Sequence, residues 1–526
     1  MTGTTTSFDS TLKPRFPGLR LAALGGFLLF LACPVPALWL LAWVAVAPLI
    51  LSVTRAVRMR QAFWRGYIFG WFFLAPVWYW VGLTIVAWTH SQIGWFAWFG
   101  LTLILALFYG FWGAGAWWLS RRLTGGRLII ALAAAWVIME WARTLGAITM
   151  PWAQLSYTQY RFLPVLQFAD VTGAYGVSFL IMLVNGALAD WYNKRGQKDL
   201  ATDSARWLWA TLTLTGLLCL YGWARMLPAD TGKTLNVAVM QGNFNAFVQQ
   251  TPEQQMQVFT EMTSQASQTI PKPELYVWAE SSAPGDAVHD GSVQSFLRGL
   301  ALDSQAAVVV GSAVRDTKAH ARANTAVLYD PDGRFSSLYN KRQLVPFGEF
   351  IPYRDLIPSS VAHAFDFPDD DVLQGKEAAL LPFSTADGRQ VRLGPFICYE
   401  AMYPNYAREM TASGANLLIT QSNDSWFQSR AALEQHLAAV TLRAIENRRE
   451  IARSTTTGIT CILDSKGQTI ARVPDDVKSW ETRRMRLMDG KTLYTRFGDW
   501  FVAFCALVIA GLLYRTRLSL HAVKPA

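Results

Sequence analysis

At 526 residues the chain exceeds what one hydrophobic core sustains, and 52% hydrophobic against 16% charged residues, with 23 Trp and 30 Phe, calls for a lipid-embedded portion beside a second unit. The net charge of +10 does not imply nucleic acid, because 17 Lys and Arg lie in short connections between apolar runs and at the chain ends, where membrane topology accounts for them. Five dispersed cysteines, Cys33, Cys219, Cys398, Cys461 and Cys505, form no C-x-x-C and no Cys/His spacing suited to zinc, so no metal and no cofactor is expected.

Taken in chain order, residues 1–17 are polar, and no small-residue cleavage site follows the first apolar run, which therefore reads as a retained anchor. Eight apolar runs follow the pattern of membrane helices: 19–32, 37–53, 66–86, 94–119, 128–141, 173–189, 207–224 and 500–514. Several are shorter than the ~20 residues a span needs. The first two are separated only by Cys33-Pro34-Val35-Pro36, which fits two spans or one re-entrant pair.

The connections alternate in charge. One set carries Lys13, Arg15 and Arg20, then Arg55, Arg58, Arg60 and Arg65, then Arg121, Arg122 and Arg127, then Lys194, Arg195, Lys198 and Arg206, and finally Arg515, Arg517 and Lys524. The other carries only Arg143 and Arg161. Basic short loops resist translocation, so both termini are expected in the cytoplasm and the long segment between the seventh and eighth runs outside. The expected division is a membrane bundle over 1–230, an extracytoplasmic domain over 231–496, and a membrane helix with a cytoplasmic tail over 497–526.

Within the long segment the pattern changes to short β-rich runs at 235–240, 275–278, 307–310, 326–329, 392–397, 417–420 and 459–463, with helical periodicity at 253–268 and 431–449. This is an α/β domain. Three polar groups stand where buried strands end: Glu280 after Leu-Tyr-Val-Trp-Ala, Lys341 in Leu-Tyr-Asn-Lys-Arg, and Cys398 after Gly-Pro-Phe-Ile. Loops at strand ends are where α/β domains place reacting groups.

The three complement one another chemically. A thiol of pKa about 8.5 is only a few per cent thiolate at neutral pH. A carboxylate can take its proton, and a fixed ammonium can stabilise both the thiolate and the oxyanion of a tetrahedral intermediate. The segment has only His289, His320, His363 and His436 to offer a Cys–His dyad, and none falls in a recognisable motif.

Trp278-Ala279-Glu280-Ser281, Tyr339-Asn340-Lys341 with Leu344-Val345-Pro346-Phe347-Gly348-Glu349-Phe350, and Ile397-Cys398-Tyr399-Glu400 resemble the Glu-Lys-Cys segments of the nitrilase superfamily in order and spacing. Met139-Glu140-Trp141-Ala142-Arg143 with Pro151-Trp152, Gln241-Gly242-Asn243, and Ser422-Asn423-Asp424-Ser425-Trp426-Phe427 narrow the resemblance to the apolipoprotein N-acyltransferase family. Two departures stand out: Ala279 where that family often has Pro, and Gln249 and Gln250 where it often has Trp.

The resemblance implies a multi-pass helical bundle carrying a nitrilase-like α-β-β-α sandwich in a bacterial inner membrane, on the periplasmic side. It implies ping-pong acyl transfer from a membrane phospholipid to the N-terminal amine of a diacylglyceryl apolipoprotein, by a monomer. Cys398 would be the nucleophile, Glu280 general base and then acid, and Lys341 the oxyanion partner, with Glu349 supporting Lys341. Tyr399 and Glu400 would shape the nucleophile loop. Asn423 and Trp426, read from the residues alone, offer either a substrate-binding wall of the site or structure. Glu140 with Arg143 reads first as a structural pair. Phe347, Phe350, Ile351 and Tyr353, with Phe365 and Phe367, offer either an apolar lid or ordinary packing. A membrane-tethered amidohydrolase with the same triad is the alternative. A transporter would need paired broken helices with midplane polar sites, which the sequence lacks beyond Glu140.

Overall fold

A computed structural model describes residues 17–33, 36–148, 150–228, 232–244, 250–316, 321–358 and 370–522. Of the residues singled out above, Lys13, Arg15, Pro34, Val35, Gln249, His320, His363, Phe365, Phe367 and Lys524 lie outside the described residues.

Every apolar run lies in helix. Among the described residues five helices are long and apolar enough to cross a membrane: Ile93–Ser120, Gly125–Ala142, Ala174–Lys194, Leu200–Met226 and Trp500–Arg517. The first two runs form shorter helices, Gly18–Ala32 and Leu38–Thr54. The third run, continuous in hydropathy, is two helices in the structure, Met59–Val77 and Tyr79–Thr89, which meet at a bend of 49°. Pro76 lies just before the break, and its missing N–H and ring clash weaken that last turn.

Small residues let these helices approach closely. A Cβ on Gly66 would stand 2.1 Å from the Tyr109 carbonyl oxygen, and one on Gly113 would stand 2.6 Å from that of Ala62. Helices Met59–Val77 and Ile93–Ser120 therefore pack nearly backbone to backbone, as small residues permit in lipid.

Among the described residues between the bundle and the last helix lie twelve strands: β1 Thr234–Gln241, β2 Leu275–Val277, β3 Ala307–Asp316, β4 Ala321–Tyr329, β5 Phe335–Asn340, β6 Leu381–Ser384, β7 Gln390–Ile397, β8 Leu417–Ser422, β9 Ile451–Thr455, β10 Cys461–Leu463, β11 Thr469–Arg472 and β12 Ser479–Arg486. They form two six-stranded sheets, ordered β12-β1-β2-β3-β4-β5 and β11-β10-β9-β8-β7-β6. Alternation along β1 explains the layering. Val237 and Val239 face the core shared with Leu393, Ile419 and Ile451 of the second sheet, whereas Ala238 and Met240 lie under Phe259 and Leu297 of the outer helices Pro252–Ser267 and Gly291–Ser304. Helix Arg430–Asn447 covers the second sheet, buried along nearly its whole length.

Polar contacts fasten this domain to the bundle. Asp170 accepts from Arg448 and Arg225, each at 2.9 Å, and from the Tyr221 hydroxyl at 2.9 Å. Glu446 accepts the Ala174 N–H at 2.9 Å, at the start of membrane helix Ala174–Lys194, where a carboxylate is favoured. The broken helix Tyr79–Thr89 meets the turn 424–427: Thr84 donates to the Trp426 carbonyl at 2.6 Å, and Trp80 packs edge-on against Phe427 at 5.1 Å.

Candidate active site

Glu280 stands three residues beyond β2, in a turn whose next residue, Ser281, has φ +52°. Gly311 of β3 lies flat against that turn, and a Cβ there would fall 2.5 Å from both the Ala279 carbonyl oxygen and the Ser281 nitrogen. Only a residue without a side chain fits. Gly311→Ala is therefore expected to displace Glu280 and lower turnover on the order of 10²-fold, as misplacement of about 1 Å commonly does. A purified variant turning over within twofold of the parent would show that the turn yields without consequence.

Lys341 follows β5 and is 1% exposed. Its ammonium donates to Glu280 Oε1 at 3.1 Å and Glu349 Oε1 at 2.8 Å. Asn324 of β4 bridges the same carboxylates at 2.7 and 3.1 Å, the Asn423 N–H donates to Glu280 Oε2 at 2.7 Å, and the Val345 N–H donates to Glu349 Oε2 at 2.8 Å. Both carboxylates are thus fixed from two sides.

Cys398 follows β7 with φ +51°, a conformation rare for a residue bearing a side chain. Glu400 holds that turn. One of its oxygens accepts the Ile397 N–H at 2.6 Å; the other accepts the Tyr339 hydroxyl at 2.7 Å and the N–H groups of Arg342 and Gln343 at 2.6 and 3.1 Å. One buried carboxylate therefore ties the Cys398 turn to the strand end that carries Lys341.

Burial opposes the charge of Lys341, but Glu280 and Glu349 outweigh it and hold its pKa well above the ordinary range, so the site keeps an ammonium. Burial and the neighbouring Glu280 push the Cys398 thiol up, while Lys341 pulls it down without cancelling them. At rest the group is a thiol, and a base would have to take its proton before the sulfur could act as a nucleophile.

Residues 25–187 match the model of the apolipoprotein N-acyltransferase N-terminal domain, and residues 236–482 that of carbon-nitrogen hydrolase. An apolipoprotein N-acyltransferase of Geobacter metallireducens is 33% identical over 514 residues, 95% of this chain and 96% of that one. The chain belongs to the apolipoprotein N-acyltransferase family. A second member, from Azotobacter vinelandii, is 30% identical over 98% of both chains. A nitrilase-superfamily protein of Saccharomyces cerevisiae, Nit3, aligns with 49% of this chain and 93% of its own at 18% identity and a TM-score of 0.38.

In this family member Glu280 and Lys341 bond one another and their charges act on the Cys398 thiol, with Glu349 bonded to Lys341 and Glu400 holding the Ile397 N–H before Cys398. Tyr399 is buried, and its hydroxyl accepts from that of Tyr403 at 3.4 Å. The Asn423 main chain reaches Glu280, while its side-chain oxygen caps the turn by accepting the Ser425 hydroxyl at 2.6 Å. Trp426 packs against Trp88 of the broken helix, ring centroids 5.9 Å apart. Ile351 is buried, Phe347 and Phe350 are half-buried and Tyr353 is 63% exposed.

Cys461 is a buried free thiol on β10. Glu140 and Arg143 do not pair directly: Glu140 accepts from the Leu155 N–H at 2.7 Å, and Arg143 donates to the Trp152 carbonyl at 2.5 Å. Among the described residues no three His, Cys, Asp or Glu side chains are placed to hold a metal ion. Sequence reasoning passed over Asn324, which stands beside Thr325 in the polar first half of β4, and a buried group comprising Asp424, His436 and Arg453.

Proposed function

We propose that this protein transfers an acyl chain from a membrane phospholipid to the N-terminal amine of a diacylglyceryl apolipoprotein, through a thioester on Cys398. The observation that carries the reading is the pairing of Glu280 with Lys341 at 3.1 Å, at the strand ends that also present Cys398, in a chain with several membrane-length helices. Glu280 takes the thiol proton as sulfur attacks the ester carbonyl, and Lys341 stabilises the oxyanion. Collapse expels the lysophospholipid alkoxide, to which Glu280 returns the proton. The free amine then attacks the thioester, Glu280 removes its proton, and the thiolate leaves to be reprotonated. The products are an N-acyl amide and the resting thiol.

Glu349 and Glu400 hold Lys341 and the Cys398 turn, Tyr399 shapes the loop, and Asn423 and Trp426 form the wall nearest the broken helix, where lipid arrives. Pulling a two-chain lipid of roughly 30 CH₂ groups into water costs on the order of 20 kcal/mol, at ~0.8 kcal/mol each. A catalytic domain over 231–496, held between membrane portions 1–230 and 497–526, meets its donor at the headgroup surface without that cost. One chain supplies every group named, which fits a monomer.

The reading is tested by mass spectrometry of a lipoprotein N-terminus from cells with and without the gene. A third acyl chain, on nitrogen, is expected only with it, and N-acylation that persists without the gene overturns the assignment. The contrast between 17 basic residues in one set of connections and two in the other supports a domain on the periplasmic face of a bacterial inner membrane. A membrane-impermeant protease added to intact spheroplasts should cut within 231–496, and complete protection of that segment would reverse the orientation.

A further inference from the structure

Beneath Cys398 lies a set of side chains that the transfer scheme leaves unused. His436, in helix Arg430–Asn447, is fully buried. Its Nε2 lies 3.0 Å from the carbonyl oxygen of Cys398 and its Nδ1 3.2 Å from Asp424 Oδ1. A carbonyl can only accept, so Nε2 carries a hydrogen and donates it. The imidazole therefore holds the main chain of Cys398 and is no partner of a Cys–His dyad.

Its orientation is fixed on every side. Arg453 donates to Asp424 Oδ2 at 2.6 Å and to the Ile459 carbonyl at 3.0 Å, and its Nη2 lies 3.3 Å from His436 Nδ1. The Ser422 hydroxyl donates to Asp424 Oδ1 at 2.6 Å. Burial works against the charge of Asp424, yet Arg453 and His436 outweigh it and hold the carboxyl at about 2, so it remains an anion. Trp152 and Phe427 confine the imidazole ring, with centroids 5.7 and 5.5 Å away.

The main chain on both sides of the nucleophile is thus pinned: the Ile397 N–H by Glu400 and the Cys398 carbonyl by His436. Between these two bonds Cys398 keeps φ +51°, which an L residue leaves readily when nothing holds it. We propose that His436 is a positioning residue for the nucleophile: oriented by Asp424 and Arg453, it donates to the Cys398 carbonyl and so holds the left-handed turn that aims the thiol between Glu280 and the lipid ester.

The inference rests on Cys398 being the nucleophile, and its test separates the two claims. A glutamine amide nitrogen reaches about where His Nε2 stands, whereas that of asparagine reaches only Nδ1. Acylation of Cys398 is followed in a single turnover with phosphatidylethanolamine micelles. His436→Leu and His436→Asn are expected to slow it on the order of 10²-fold, and His436→Gln by less than about tenfold, with the half-saturating lipid concentration within twofold of the parent. Melting temperatures identify losses due to folding alone, and if the leucine variant does not insert, the comparison of asparagine with glutamine decides. Acylation at the parent rate in His436→Asn, or equal loss in the asparagine and glutamine variants, overturns the proposal. Iodoacetamide labelling of Cys398 requires no acyl transfer and should follow the same order. A parent that labels but never acylates sinks the function while leaving the positioning claim to the labelling rates.

Discussion

Cys398→Ala should abolish transfer, with a fall on the order of 10⁴-fold or more, while the protein still inserts and folds. The size follows from the group lost: without the sulfur no covalent intermediate forms, and the members of such a unit fail together. Cys398→Ser should fare little better. A hydroxyl is far less acidic than a thiol, and this site already pushes its nucleophile's pKa up through burial and Glu280. The control is Cys461→Ala, which empties a fully buried position on β10 and should cost stability by about 1–2 kcal/mol while leaving most activity. Phospholipid-to-peptide transfer, measured beside thermal unfolding, checks both. Equal loss in the two alanine variants without loss of folded protein would remove Cys398 from its role.

Lys341→Met should be nearly as severe, lowering transfer on the order of 10³-fold or more and destabilising the fold by about 3–5 kcal/mol. Its ammonium bonds two carboxylates, so removing it leaves Glu280 and Glu349 buried near one another without their shared cation. Lys341→Arg should fail almost as badly in transfer, because a planar guanidinium does not fit where a compact ammonium serves two carboxylates and an oxyanion. Combining Lys341→Met with Glu280→Gln separates stability from chemistry. Glu349 keeps Asn324 and the Val345 N–H as donors, so the double variant should recover part of the lost stability and none of the lost activity. Near-normal transfer in Lys341→Arg, or rescue of activity in the double variant, would place the oxyanion partner elsewhere.

The parts of the fold that were legible are those where burial and hydropathy coincide. Uninterrupted apolar runs gave helices, and the seven β-rich runs all lie on or overlap strands. The bend in the third membrane run was not legible, because a hydropathy pattern does not sense direction and Pro76 sits inside apolar sequence on both sides. β12 was passed over because, as a sheet-edge strand reading Ser-Trp-Glu-Thr-Arg-Arg-Met-Arg, it is largely polar. β9 escaped although it is buried: Arg453, Ser454 and Thr455 are polar, and they bond Asp424, the Met240 carbonyl and the Thr460 hydroxyl inside the domain.

The site itself divides the same way. Glu280 and Cys398 announce themselves by following buried apolar strands and by motif; Lys341 does so by motif alone, because β5 is a half-exposed edge strand and not the buried strand its sequence suggested. His436 does not, since its partner is a main-chain carbonyl 38 residues away and its helix is buried on polar and apolar faces alike.

The central claim is that one thiol carries the acyl chain between donor and acceptor, and that an amine held at the membrane outcompetes water of about 55 M, as oriented reactants at effective molarities of ~10⁵ to 10⁸ M do. The purified protein incubated with phospholipid alone should accumulate an acyl thioester on Cys398, visible by mass spectrometry and released by neutral hydroxylamine, with slow production of fatty acid. Adding a diacylglyceryl peptide with a free N-terminal amine should discharge it into an N-acyl amide, and the same peptide with a blocked amine should leave it in place. Rapid release of fatty acid, unaffected by the free-amine peptide, would contradict the account and make the protein a membrane-tethered hydrolase.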